Sequence, residues 1–179
     1  MLEFERVQAE AMRKMPTFTE WCGYNLFPPS SWVGESVPYA DWISFIRYQG
    51  KVTQMRVGSN FSPALRRLIE AGLFLAVGLN VLKVASPIQL TDPTFADNSY
   101  LYQITFVGLA CQASIFRLGS RFVSLDSACI ASGISYMPAT DEKSEEFNSI
   151  RHGEILKANT ASDAAVATKA WNMRTQYFL

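Results

Sequence analysis

The sequence predicts an all-α fold: a partial, multi-pass transmembrane helical bundle with interfacial and re-entrant segments. Three observations predict it. Charged residues make up only 18% of the chain, below the usual quarter for a soluble domain. They gather near the start, around residues 47–70 and in 141–174, and leave the long region between almost without charge. Hydrocarbon imposes such segregation, because ionisable side chains are costly there. Trp, Tyr and Pro crowd into residues 16–47, the composition of a membrane interface, where a ring is buried and its polar tip stays wet.

The elements follow in order. Residues 1–15 read as a surface helix, with charged and apolar side chains at helical spacing over 3–14. Met15-Pro16 ends it, since the residue before proline avoids the helical region. Residues 16–64 form an interfacial, aromatic and proline-rich segment. Trp21, Tyr24, Phe27, Trp32, Tyr39, Trp42 and Phe45 alternate there with Gly23, Pro28, Pro29, Gly34 and Pro38. Within it, 39–47 reads as a short amphipathic helix. Residues 65–137 are expected to hold about three membrane-embedded helices, each near the minimum spanning length. The first, Leu68 to Val84, carries Glu70 and Asn80 and spans if Arg66 and Lys83 lie at its ends. The second, Ser99 to Phe116, has no charge. Its Gln103, Thr105, Gln112 and Ser114 are suited to facing other helices. The third, Phe122 to Met137, contains Asp126 and stops at Pro138. Pro87 and Pro93 mark the first connection. Residues 138–160 are a polar loop. Thr160-Ala161-Ser162-Asp163 fits a capping box that opens a helix over 161–179. On that helix Asn172, Thr175 and Gln176 share one face. The pattern has no helix stop at Leu179, which predicts a truncated sequence.

Charge bias suggests a topology. Lys51, Arg56, Arg66 and Arg67 precede the first span, and Arg117 and Arg121 follow the second. The positive-inside rule puts both groups on the cytoplasmic side and the 87–97 connection on the lumenal side. Zero net charge gives no electrostatic case for nucleic acid. Cys22, Cys111 and Cys129 have neither metal nor redox spacing. The acidic, amphipathic start is no signal peptide.

Several stretches together resemble a family. They are Met15-Pro16-Thr17-Phe18-Thr19-Glu20-Trp21-Cys22-Gly23-Tyr24, then Leu26-Phe27-Pro28, Tyr39-Ala40-Asp41-Trp42, Ser132-Gly133-Ile134-Ser135-Tyr136, Ser149-Ile150-Arg151 with Glu154, and Trp171-Asn172-Met173-Arg174-Thr175. Their order and spacing are similar to the lysophospholipid acyltransferase branch of the membrane-bound O-acyltransferases, across nearly the whole chain. Trp171-Asn172 with Thr175 after the Arg/Glu loop is the most specific element. Glu35, Ser135 and Phe178 depart from the family pattern of proline, glycine and tryptophan. The family's catalytic histidine lies a few tens of residues beyond the Trp-Asn element, past Leu179.

The resemblance implies an integral, multi-pass membrane protein, in the endoplasmic reticulum if eukaryotic. It implies acyl transfer from acyl-CoA, a co-substrate rather than a resident cofactor, to the hydroxyl of a lysophospholipid. Partners are then membrane lipids, lysophospholipid and acyl-CoA, with no metal. Asn172 cannot be a base, but it can donate hydrogen bonds to a developing oxyanion or orient reacting groups. Thr175 and Gln176 would share that site wall. The plain alternative is an amide that only satisfies neighbouring backbone. Arg151 either binds CoA phosphates through its planar fork or is an ordinary surface arginine. Asp126 and Glu70 either line the substrate site or pair with nearby Arg121 and Arg67. His152, the only histidine, reads as a solvated loop residue. This chain alone is expected to be inactive. A reading from another class is a small non-enzymatic transport or scaffold protein, with Glu70, Asn80 and Asp126 along a polar pathway.

Overall fold

A computed structural model of the chain describes residues 15–28, 37–139, 146–171 and 173. The expected helix over 3–14, Trp32 and the Gly34-Glu35 pair lie outside these residues. So do Asn172, Thr175, Gln176 and Phe178. Among the described residues the fold is helical, and the single β-type contact is an isolated bridge between Met137 and Glu146.

α1 (Phe18–Asn25) starts at a capping box: the Thr17 hydroxyl accepts from the Glu20 amide and the Glu20 carboxylate accepts from the Thr17 amide. That backbone bond, together with hydrogen bonds from Arg47 and the Thr17 hydroxyl, holds the Glu20 carboxyl below its ordinary range. Arg47 ends α2 (Tyr39–Ile46) and meets Glu20 at 2.8 Å, so an ion pair joins the two short helices. The Tyr24 hydroxyl donates to the Val37 carbonyl at 2.6 Å, and Tyr24 sits edge-on to Tyr39 and Trp42. The aromatic segment is thus folded on itself, over a core of Val37, Trp42, Cys129, Ile134 and Ile150. Phe18 and Trp21 remain exposed.

Two long antiparallel helices carry the fold. α3 (Phe61–Val84) is followed by 3-10 turns at Pro87–Thr91 and Pro93–Asp97, and then by α4 (Tyr100–Ser132). At 1.5 Å per residue their lengths are about 36 and about 50 Å, against a hydrocarbon core of about 30 Å. Both are long and apolar enough to cross a membrane. The second and third apolar runs, expected as separate helices, are therefore one helix. No proline interrupts Arg117-Leu118-Gly119-Ser120-Arg121, and the cost of one glycine, about 1 kcal/mol, is small beside the packing around it. The basic loop assigned to Arg117 and Arg121 does not exist. Both arginines lie within α4.

The seam between the helices is built mainly from small side chains at a seven-residue repeat, with Phe106 packed against Ala85 at one end. Ala64, Ala71, Gly78 and Ala85 are buried on one side, and Phe106, Ala113, Ser120 and Ser127 on the other. Such a repeat keeps one stripe facing the partner, and small residues let the backbones approach. A Cβ on Gly78 would lie 2.9 Å from Arg117 Cγ and 3.1 Å from the Ala113 carbonyl oxygen. The Ser127 hydroxyl donates to the Ala64 carbonyl at 2.8 Å. Asn60 donates to the Ala131 carbonyl at 2.7 Å, occupying one of the acceptors a helix end leaves open. α4 stops at Gly133, whose φ of 88° only glycine adopts readily. Outside the seam, Leu68, Ile69, Leu73, Ile88, Leu101 and Ile104 are exposed.

The chain then returns along α4. α5 (Ile155–Thr160) lies within the stretch expected as loop, and α6 (Ala164–Trp171) follows. The expected capping box shifts: the Thr160 hydroxyl turns back to the Leu156 carbonyl and closes α5, while the Asp163 carboxylate accepts from the Ala165 amide at the start of α6. Gln112 of α4 reaches Asn159 at 3.1 Å, and Gln103 bonds the Ala96 and Asn98 carbonyls. Ser114 bonds the Ala110 carbonyl in its own helix.

Candidate functional site: a buried Asp–His pair beneath the Trp171 turn

Asp126 lies on the core face of α4 and is 1% exposed. A carboxylate so placed needs hydrogen-bond donors. It finds them in His152, 26 residues on in sequence. Asp126 Oδ1 accepts from the His152 backbone amide at 2.9 Å and faces His152 Nδ1 at 2.8 Å. A carboxylate only accepts, so Nδ1 carries the hydrogen. On the other side Arg67 Nη2 lies 3.5 Å from Asp126 Oδ2, while Arg67 Nη1 donates to Glu70 Oε2 at 2.6 Å. Arg67 therefore serves both acids, and the expected Asp126 partner, Arg121, is replaced by a residue from the neighbouring helix.

His152 is 0% exposed, which overturns its reading as a solvated loop residue. The local sequence Arg151-His152-Gly153-Glu154 is polar, but the loop dips inward at His152 and Gly153 to reach Asp126. Ile150 beside it is buried as well, and its carbonyl accepts from the buried Ser135 hydroxyl at 3.3 Å. The sequence held a signal for this contact: one acid in the third apolar run, one histidine in the chain. Their separation hid it.

The inward loop also holds the end of α6. The Met173 amide donates to the His152 carbonyl at 3.0 Å, and the Glu154 amide donates to the Ala170 carbonyl at 2.7 Å. Gly153 is packed so closely that an added Cβ would lie 2.6 Å from the Trp171 carbonyl oxygen. The Trp171 ring sits edge-on to Phe122 of α4, with centroids 5.7 Å apart. Residues on both sides of position 172 are thus fixed against α4 and the loop. A cavity of about 310 Å³ lies beside Trp171, walled by Ile115, Ala158, Asn159, Ala167 and Thr168.

Arg151, the other predicted site residue among those described, points elsewhere. Its Nη1 donates to Glu154 Oε1 at 2.6 Å, and Lys157 meets the other oxygen of Glu154 at 3.1 Å. A cavity of about 470 Å³ opens at the same end of the helix pair, lined by Asp41, Ser44, Lys51, Gly133 and Ser149 among others. Neither Arg151 nor Asp126 lines it.

Two membrane-length helices with a folded aromatic segment and a polar loop packed against them describe a membrane-embedded helical protein. The model of the membrane-bound O-acyltransferase family matches residues 1–179, and the chain belongs to that family. It is similar to the lysophospholipid acyltransferase of Schizosaccharomyces pombe, 26% identical over an alignment 179 positions long that covers 94% of this chain and 34% of the relative. It is also similar to lysophospholipid acyltransferase 5 of Drosophila melanogaster, 20% identical over 178 residues that cover 99% of this chain and 35% of the relative. The chain thus spans about a third of the length of these curated relatives.

Proposed function

We propose that this chain forms part of an enzyme that moves an acyl group from acyl-CoA to the free hydroxyl of a lysophospholipid, in phospholipid remodelling. The observation that carries the reading is the match of the whole chain to an acyltransferase family, with two relatives named lysophospholipid acyltransferases. In the reaction the hydroxyl oxygen attacks the thioester carbonyl. The new C–O ester bond forms, the C–S bond breaks, and the hydroxyl proton leaves through a base to the CoA thiol. Asn172 would donate to the carbonyl oxygen as charge develops there, with Thr175 and Gln176 on the same wall. A base must take the hydroxyl proton in this step.

The packing of the Trp171 turn supports this role, because an oxyanion donor works only when held in place. Arg151 as a ligand of CoA phosphate would have to give up Glu154. Asp126 would act through its neighbours rather than by touching substrate. Glu70 and Asp126 are both engaged by Arg67, and Asn80 bonds the Ala76 carbonyl in its own helix. Those contacts speak against a polar transport pathway through the three. A eukaryotic protein of this kind would reside in the endoplasmic reticulum.

The test uses membranes from cells expressing the gene from its natural locus, with any flanking coding sequence. Supplied with labelled acyl-CoA and a panel of lysophospholipids, they should form labelled diacyl phospholipid above the level of membranes lacking the gene. Equal incorporation in both, across the panel, would overturn the reading.

A further inference from the structure

We propose that Asp126 and His152 are a positioning pair that fixes the peptide around residue 172 for acyl transfer. The proposal rests on the reading that Asn172 acts in that reaction. The structural chain is continuous. Arg67 and Ser127 tie α4 to α3 at the level of Asp126. Asp126 takes both the amide and the ring N–H of His152 on one oxygen, which fixes the backbone and the side chain of a loop residue together. The carbonyl of that same residue receives the Met173 amide. One carboxylate in the core of the helix pair therefore sets the height at which the Trp171 turn docks. Gly153 lets the turn come within contact distance, and the adjoining Glu154–Ala170 bond stops it from rotating.

The buried His152 Nε2 has no hydrogen-bond partner among the described residues. It offers an alternative role, in which the ring itself exchanges a proton with substrate. The two roles differ in what the side chain must supply. Positioning needs only a donor at the place of Nδ1, and the amide nitrogen of asparagine occupies that place. Proton exchange needs a ring nitrogen, which asparagine lacks.

The test compares His152→Asn, His152→Leu and Asp126→Leu in the naturally flanked protein, in nanodiscs. Acyl transfer is assayed with labelled acyl-CoA and the lysophospholipid that wild type uses best, and backbone amide exchange is followed at Glu154 and Met173. Expected for His152→Asn are a kcat within about threefold of wild type and unchanged protection of both amides. Expected for His152→Leu and Asp126→Leu are a fall in kcat of at least about tenfold with KM for the acceptor little changed, and exchange at Met173 at least about tenfold faster. If His152→Asn is as inactive as His152→Leu while Met173 stays protected, the ring has a chemical role and the proposal is overturned. Full protection of Met173 in His152→Leu overturns it too. Should Asp126→Leu fail to fold, the two His152 variants decide the matter. Should wild type show no acyl transfer, the functional reading fails, and the exchange data still report whether the pair holds the turn.

Discussion

Replacing Asn172 with alanine is expected to lower kcat for acyl transfer by roughly 10²–10³-fold, the usual effect of removing one preorganised donor to a developing oxyanion. KM for either substrate should move little, because the bond strengthens only as the carbonyl becomes tetrahedral. The protein should still fold, since Trp171 keeps its edge-on contact with Phe122 and Met173 keeps its bond to the His152 carbonyl. Steady-state kinetics on membranes carrying equal amounts of the two proteins checks this. A kcat within about threefold of wild type would mark Asn172 as an amide that merely satisfies its surroundings.

The second large effect concerns the helix seam. Gly78→Leu is expected to destabilise the fold by about 1–3 kcal/mol or more, the cost of forcing extra methylenes into a packed contact. Even the first added carbon would meet Arg117 and the Ala113 carbonyl, and the rest of a leucine would wedge α3 from α4. That separation would stretch the Ser127–Ala64 bond and open the stacked Phe74–Phe116 pair. Gly72→Leu is the control on the same helix, because a Cβ there meets nothing within 4 Å. Thermal unfolding in detergent should show a clear drop for position 78 and little change for position 72. Equal behaviour of the two would mean that the seam does not hold the pair together.

The apolar runs gave the two long helices, and Pro87 and Pro93 gave the turn between them, because a bilayer-length helix and a proline are both local signals. The short helix at 39–47 was legible for the same reason. The continuity of α4 was not. Arg117, Gly119 and Arg121 look like a loop in a linear reading, and only the packing of Arg117 beside α3 and of Gly119 beside Ile155 shows why the helix runs on. The burial of His152 is not legible in Arg151-His152-Gly153-Glu154, because burial is a tertiary property and the acid it meets lies 26 positions earlier. Asp126 was singled out from its apolar surroundings, and its partners came from another helix and a distant loop. Asn172, Thr175 and Gln176 rest on the family resemblance, and what the fold adds is the anchoring of Trp171 and Met173 around the first of them.

Every role proposed above requires hydrocarbon around the α3–α4 pair. Alkaline carbonate extraction of membranes from cells expressing the 179-residue chain tests this most directly. The chain should stay with the membrane pellet, because the exposed leucines and isoleucines of both helices would otherwise face water. Recovery in the supernatant as a water-soluble monomer would contradict it.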